Sequence, residues 1–272
     1  MILMEILKNK KLVWNLGKND FKKRFAGSYL GIVWAFVQPV ITILVYWFVF
    51  AKALPTPALK AKGGTDVPYV LWLTAGMVPW FFFSEAISSG TNALLEYTYL
   101  VKKVVFKIEI LPLVKMMSAM FVHLFFVAFT IVFYTVSHYY PTIYAVQMLY
   151  YSLAMMVLSA GIIYFTSAVV VFFRDLAQMV NIVLQVLVWM TPIMWNLDNM
   201  VSSGAVGRRL LFLLKLNPMY YIVSGYRDSV INHIWFWERG SINIYFWGVS
   251  LLLFIFGSWV FKKLQPHFAD VL

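Results

Sequence analysis

The sequence predicts an all-α, polytopic membrane protein, and three observations carry that prediction. Of its 272 residues 62% are hydrophobic and 12% charged, with a mean hydropathy of +0.79. Soluble domains are about half apolar and about a quarter charged, so too few polar side chains remain to cover a water-facing surface. Apolar runs of roughly 20 residues recur along the chain, the length that crosses a hydrocarbon core about 30 Å thick. The runs are continuous, whereas a barrel would alternate apolar and polar residues over segments of about ten. Lipid allows no third way of satisfying the backbone.

The first element is a basic segment, "KNKKLVWNLGKNDFKKRFAGS" at residues 8–28. Leu12, Val13, Leu16, Phe21 and Phe25 share one broad helical face while the lysines point elsewhere, the pattern of a helix lying in the membrane surface. Residues 1–29 are therefore expected to form a cytosolic amphipathic interface helix, and residues 30–272 the transmembrane domain. A charged start with no small-residue cleavage site after the first apolar stretch predicts no cleavable signal peptide. Gly27 and Gly31 bracket the turn into the first span, where a missing Cβ permits a sharp bend. Their small-xxx-small spacing also permits close helix contact.

Six spans follow. The first runs from Leu30 to about Phe50, with Pro39 expected to kink it and Gln38 expected to face a polar lumen. The others cover Pro68 to Ser88, Leu111 to Val136, Ala145 to Phe173 (long enough to tilt), Ala177 to Asn196, and Ile242 to Phe261. Between them, residues 51–67 read as an irregular loop around Pro55, Pro57, Gly63 and Gly64. Residues 137–144 and Arg174-Asp175 are short turns, and 89–110 is helical in pattern. Residues 197–241 are too polar to span and too apolar for a free loop. "LLFLLKLNPMYYIVSGY" reads as a reentrant extracellular segment that turns back at Asn217-Pro218, tolerable only against protein or a water-filled cavity. With both termini cytoplasmic, the inner segments hold thirteen Lys and Arg against eight in the outer ones, Lys115 within the third span being left out. That bias places a multi-pass protein in the cell membrane, positive side inward.

The sequence contains no cysteine, which excludes disulfide and thiol chemistry. The net charge of +11 suits anionic headgroups and topology control, not nucleic acid. There is no GxxxxGK[ST] phosphate loop, no HExxH and no GxSxG, and His123, His138, His233 and His267 lack metal-ligand spacing. No catalytic or metal site is predicted. Glu85 and Lys115, near the inner ends of spans two and three, are expected to snorkel to water, and His123 to make a helix–helix hydrogen bond. His267 and Asp270 are read as a solvated tail. Aromatic residues make up 19% of the chain. Trp72, Trp235, Trp237 and Trp259 fall at membrane interfaces. Phe36, Tyr46, Trp47, Trp189 and Trp195 fall mid-span, where each ring alone reads as lipid contact or core packing, and where as a group flat rings could stack on sugar faces and let a glycan slide.

"RFAGSYLGIVWAFVQP" resembles the signature of the ABC-2 family of exporter permeases, with Arg24, Phe25, Ser28, Leu30, Gly31, Trp34 and Pro39 at its positions. "KKVVFKIEILPL", "FFRDL", "TPIMW", "LNPMYYIVSGYRD" and "FADVL" are similar to later family segments, in order; Lys107 stands where the family more often has proline. Within the family the chain most resembles permeases for undecaprenyl-linked polysaccharide, teichoic acid ahead of O-antigen. The resemblance implies a homodimer with two copies of a separate ATPase subunit, which would bind ATP and Mg; this chain would hold no cofactor. It implies a coupling helix at residues 95–107, with Leu95, Tyr97, Leu100, Lys102, Lys103 and Phe106 against the ATPase and the interface helix contributing. Spans one and five would line the glycan path through Phe36, Gln38, Tyr46, Trp47, Trp189 and Trp195, and 199–241 would form the outer gate. The basic collar of Lys18, Lys22, Lys23 and Arg24 suits a lipid pyrophosphate, or headgroups. Two other readings stay open: an ABC-2 permease for a drug or small lipid, and a membrane-embedded enzyme acting on lipid-linked sugars.

Overall fold

A span that is apolar on every side can be buried on every side. Tyr69–Thr91 is such a helix: 78% of its most apolar stretch is buried, against 6% for the first span. The computed structural model describes residues 9–53, 59–61, 64–102, 107–197, 200 and 207–272. In chain order its helices are α1 (Lys10–Arg24), α2 (Trp34–Phe48), α3 (Tyr69–Thr91), α4 (Ala93–Glu96), α5 (Thr98–Val101), α6 (Leu111–Val136), α7 (Gln147–Val170), α8 (Leu176–Met190), α9 (Arg208–Leu216), α10 (Pro218–Arg227), α11 (Ser241–Leu264) and α12 (Phe268–Val271). A small antiparallel ladder, β1 (Leu59–Lys60) with β2 (Asp66–Val67), sets Leu59 opposite Val67 between α2 and α3. The molecule is an all-α polytopic membrane protein built around α3, α6 and α7.

Contacts at helix ends sort the bundle into two faces. On one, Lys115 near the start of α6 meets Asp20 of α1, and Thr91 at the end of α3 bonds Thr166 of α7 at 2.7 Å. Phe172, just past α7, packs on Phe268 of α12. α1 and α12 therefore lie at this terminal face. On the distal face, Tyr134 near the end of α6 donates to the carbonyl of Leu71 at 2.8 Å, and Tyr221 of α10 donates to Asn243 of α11 at 3.0 Å.

Among the described residues five helices are long and apolar enough to span; the fifth expected span, Ala177 to Asn196, is helical only to Met190, over 15 residues. Thr191 precedes Pro192 and is extended, with φ −89° and ψ 128°, as the residue before a proline prefers. Ser88 bonds Asn181 near the start of α8, and Tyr69, 19 residues and about 28 Å earlier on α3, donates to the carbonyl of Met194 at 2.6 Å. α8 and the turn that follows it therefore run beside α3 over that rise.

Three other expectations need correction. α1 does not rest its apolar face on lipid alone: its buried positions are Val13, Gly17 and Asp20, spaced along one stripe that packs on α6, with Trp14 edge-on to Phe121 at 5.0 Å and Leu12 exposed. Residues 89–110 do not form one helix: α3 runs to Thr91, and the described part of 95–107 holds only the four-residue α4 and α5. Gly27 and Gly31 do serve the bend, at φ +87° and +53°, but nothing approaches within 4 Å of either Cβ position, so they pack against no described helix.

The close contact that small residues allow lies instead between α7 and α11. A Cβ at Gly257 would sit 2.1 Å from the carbonyl oxygen of Gly161, and one at Gly161 would sit 2.6 Å from the backbone of Phe254. Backbones this near gain dispersion contact that larger residues would deny. Gly257→Val is expected to lower stability by about 1–3 kcal/mol, read as a drop in thermal midpoint in detergent. Gly248→Val, on the same helix with open space around it, should leave the midpoint unchanged.

Candidate coupling site and translocation path

The terminal face is organised by one ammonium. Lys115 sits in the second turn of α6 with its side chain 10% exposed, 2.7 Å from Asp20 of α1 and 2.6 Å from Glu96 of α4. Tyr97 donates to Asp20 at 2.5 Å, and the Lys115 ammonium lies 5.1 Å from the Tyr97 ring centre. Burial, then the hydrogen bond to Asp20, pushes the Tyr97 phenol pKa up, so it remains a donor. One turn on, Arg24 of α1 pairs with Glu85 of α3. Burial lowers the Arg24 pKa, but the hydrogen bond and charge of Glu85 outweigh it and raise the pKa overall. These pairs tie α1, the α4–α5 segment, α3 and α6 together. Glu85 and Lys115 are thus ion-paired, not merely snorkelling.

Two cavities flank the pairs. One of about 560 Å³ is lined by Asp20, Lys23, Glu96, Tyr97 and Lys115. The other, about 210 Å³, runs between α2, α3 and α6, with Arg24 and Glu85 at one end and Gln38 and His123 beyond. His123 Nε2 lies 3.0 Å from the Ser152 hydroxyl and 2.9 Å from that of Tyr226, which joins the middle of α6 to α7 and α10. The expected helix–helix hydrogen bond is present.

On the distal face the reentrant segment bends at Asn217, whose side chain accepts from the Met219 amide at 3.0 Å and donates to Thr191 at 2.8 Å. α10 is buried from Tyr221 to Arg227. Arg227 donates to the carbonyls of Pro192 and Ile193 at 2.7 and 2.8 Å, and stacks 3.3 Å from the Trp72 ring centre. Gly76 makes room, since a Cβ there would meet the guanidinium at 2.8 Å. Arg227 thus pins α10 to the end of α8 and to α3. The neighbouring Asp228 pairs with Arg239, whose pKa burial would lower but whose partner raises it.

The family model described as "ABC-2 type transporter" matches residues 11–231. The chain belongs to the ABC-2 type transporter membrane family. It is a transport subunit of the membrane, and its family implies an ATPase partner. The ABC-2 subunit is 25% identical to an O-antigen export system permease protein RfbA from Klebsiella pneumoniae, over 96% of this chain and 99% of the relative. It is likewise 25% identical to the protein of that name from Myxococcus xanthus, over 99% of this chain and 98% of the relative.

The residues singled out in the sequence are placed unevenly. Lys18, Lys22, Lys23 and Arg24 are exposed along α1, and of these Arg24 is committed to Glu85. Leu95, Tyr97 and Leu100 are half-buried and Lys102 is exposed; Lys103 and Phe106 lie outside the described residues. On α2, Phe36 packs 4.1 Å from Phe125, Gln38 is exposed, and Tyr46 and Trp47 lean on the core. Trp189 is 54% exposed, and Trp195 donates its indole N–H to the Trp189 carbonyl. Among the described residues no hydrogen bond or ring contact joins the α2 group to the α8 group. Sequence reasoning missed Asp20. The signal was available: a lysine inside a span needs a carboxylate, and Asp20 continues the Val13–Gly17 stripe. Arg227 was passed over because it sat in a segment read as an outer loop.

Removing the ammonium would strand two carboxylates. Lys115→Met is expected to destabilise the subunit by about 3 kcal/mol, the usual cost of breaking a buried pair from one side, reduced somewhat because the Glu96 side chain is 52% exposed. Thermal unfolding in detergent measures it, and the double variant Lys115→Met/Asp20→Leu should recover part of the loss.

Proposed function

We propose that this chain is the membrane permease of a polysaccharide exporter, moved by a separate ATPase subunit bound at the terminal face, with both termini cytoplasmic. The observation that carries the reading is end-to-end similarity to proteins named O-antigen export permeases in two organisms. Of the two polymers left open by the sequence motifs, that similarity favours an O-antigen-type lipid-linked glycan over teichoic acid.

The geometry supports a mechanism. Force applied to α4–α5 and α1 reaches α6 through Lys115, and α3 through Arg24–Glu85. α2 and α8 are the spans with least buried surface, each with a single buried residue, Ile43 and Leu184. They therefore lose the least packing when they shift. In a homodimer their exposed apolar faces (Ile41, Leu44 and Phe48; Ile182, Val183 and Val186) would meet the second copy or lipid, with the glycan path between copies. The aromatic side chains at Phe36, Trp47, Trp189 and Trp195 offer stacking surfaces without a deep well.

The test is co-expression with ABC ATPase subunits of the same cell, co-purification, and reconstitution in liposomes. ATPase activity should rise several-fold with lipid-linked O-antigen-type glycan and less with lipid-linked teichoic acid, and Asp20→Ala should blunt the rise. An ATPase that does not bind, or is indifferent to every lipid-linked glycan, would overturn the reading.

A further inference from the structure

The distal face holds a cavity of about 410 Å³ between α3, the Pro192–Leu197 stretch, α10 and the turn before α11, within the size range of small-ligand sites. Its lining is mixed in a particular way. Asn196, Asn232 and Ser224 bring amides and a hydroxyl, Tyr220 a half-buried ring, Glu238 a carboxylate at the rim, and Arg227 a guanidinium. Arg227 is 8% exposed, and two of its N–H groups are taken by backbone carbonyls. Its Nε–H is buried with no hydrogen-bond partner. A buried orphan donor costs about 1–3 kcal/mol, and the residue that carries it lines the cavity.

The charges balance: Arg239 is matched to Asp228, and Arg227 and Glu238 add one charge of each sign to the lining. A bare phosphate would meet two carboxylates, and a cation two guanidiniums. An uncharged molecule rich in hydroxyls and ring oxygens, with an apolar face for the Tyr220 ring, fits both the donor–acceptor set and the zero net charge. We infer that this cavity is a distal saccharide subsite, binding about one neutral sugar unit independently of any lipid anchor. The inference rests on the export reading proposed above, in which a glycan emerges at this face. Arg227 and Asn217 hold the cavity walls to the end of α8, so occupancy of the subsite would sense the position of that span.

The test uses the full-length permease in nanodiscs and lipid-free oligosaccharide released by mild acid from the producing cell's own surface polysaccharide, with binding followed by tryptophan fluorescence and calorimetry. Saturable binding is expected to the wild type. Ser224→Leu, which fills the cavity, and Glu238→Gln, which keeps the acceptor for the Trp235 amide but removes the charge, should each weaken it about tenfold. Ser224→Leu alone could fail by misfolding; Glu238 is exposed, so its variant tests the site in a folded protein. Equal binding by wild type and both variants would place the sugar elsewhere and overturn the subsite. So would no binding of lipid-free oligosaccharide while lipid-linked glycan still stimulates the reconstituted ATPase, an outcome that leaves the export reading standing. Loss of stimulation by lipid-linked glycan would instead remove the export reading, and the subsite's role with it.

Discussion

An ammonium buried near the end of a membrane span cannot stand alone. In low dielectric the cost of the bare charge is several kcal/mol, and Lys115 meets it with two carboxylates from two segments that do not cross the membrane. The consequence is architectural. α1 is held to α6 by charge as well as by the Val13–Gly17 stripe, and the short α4 is fixed against the same point. In the proposed reading these are the parts that receive the ATPase. A charge pair in this setting is screened less than one in open solvent, and it is directional where apolar packing is not.

Beyond that clamp, burial is distributed unequally. α3 is enclosed, and α7 and α11 approach backbone to backbone at Gly161 and Gly257. α2 and α8 hang at the edge with one buried residue each. A bundle with a dense centre and loosely held flanks divides naturally into a frame and moving parts, because a span that buries little loses little when it shifts. The distal face repeats the logic on a smaller scale. Arg227 stacks on Trp72 and binds the carbonyls that end α8, so the reentrant segment is latched to one of the loosely held spans and to the fixed centre together.

The chain on its own settled a good deal. Membrane residence and helical class followed from hydrophobic run lengths, which depend only on bilayer thickness and backbone hydrogen bonding. The turn at Asn217-Pro218 and the bend at Gly27 and Gly31 were readable because proline and glycine restrict or free the backbone locally. Tertiary structure alone decided the rest. Asp20 looked like one polar residue on an amphipathic helix until α6 brought Lys115 beside it. α8 ends at Met190, ahead of Pro192, and the small-residue contact proved to be α7 with α11. Charge pairing and close packing join residues distant in the chain, so no local pattern records them.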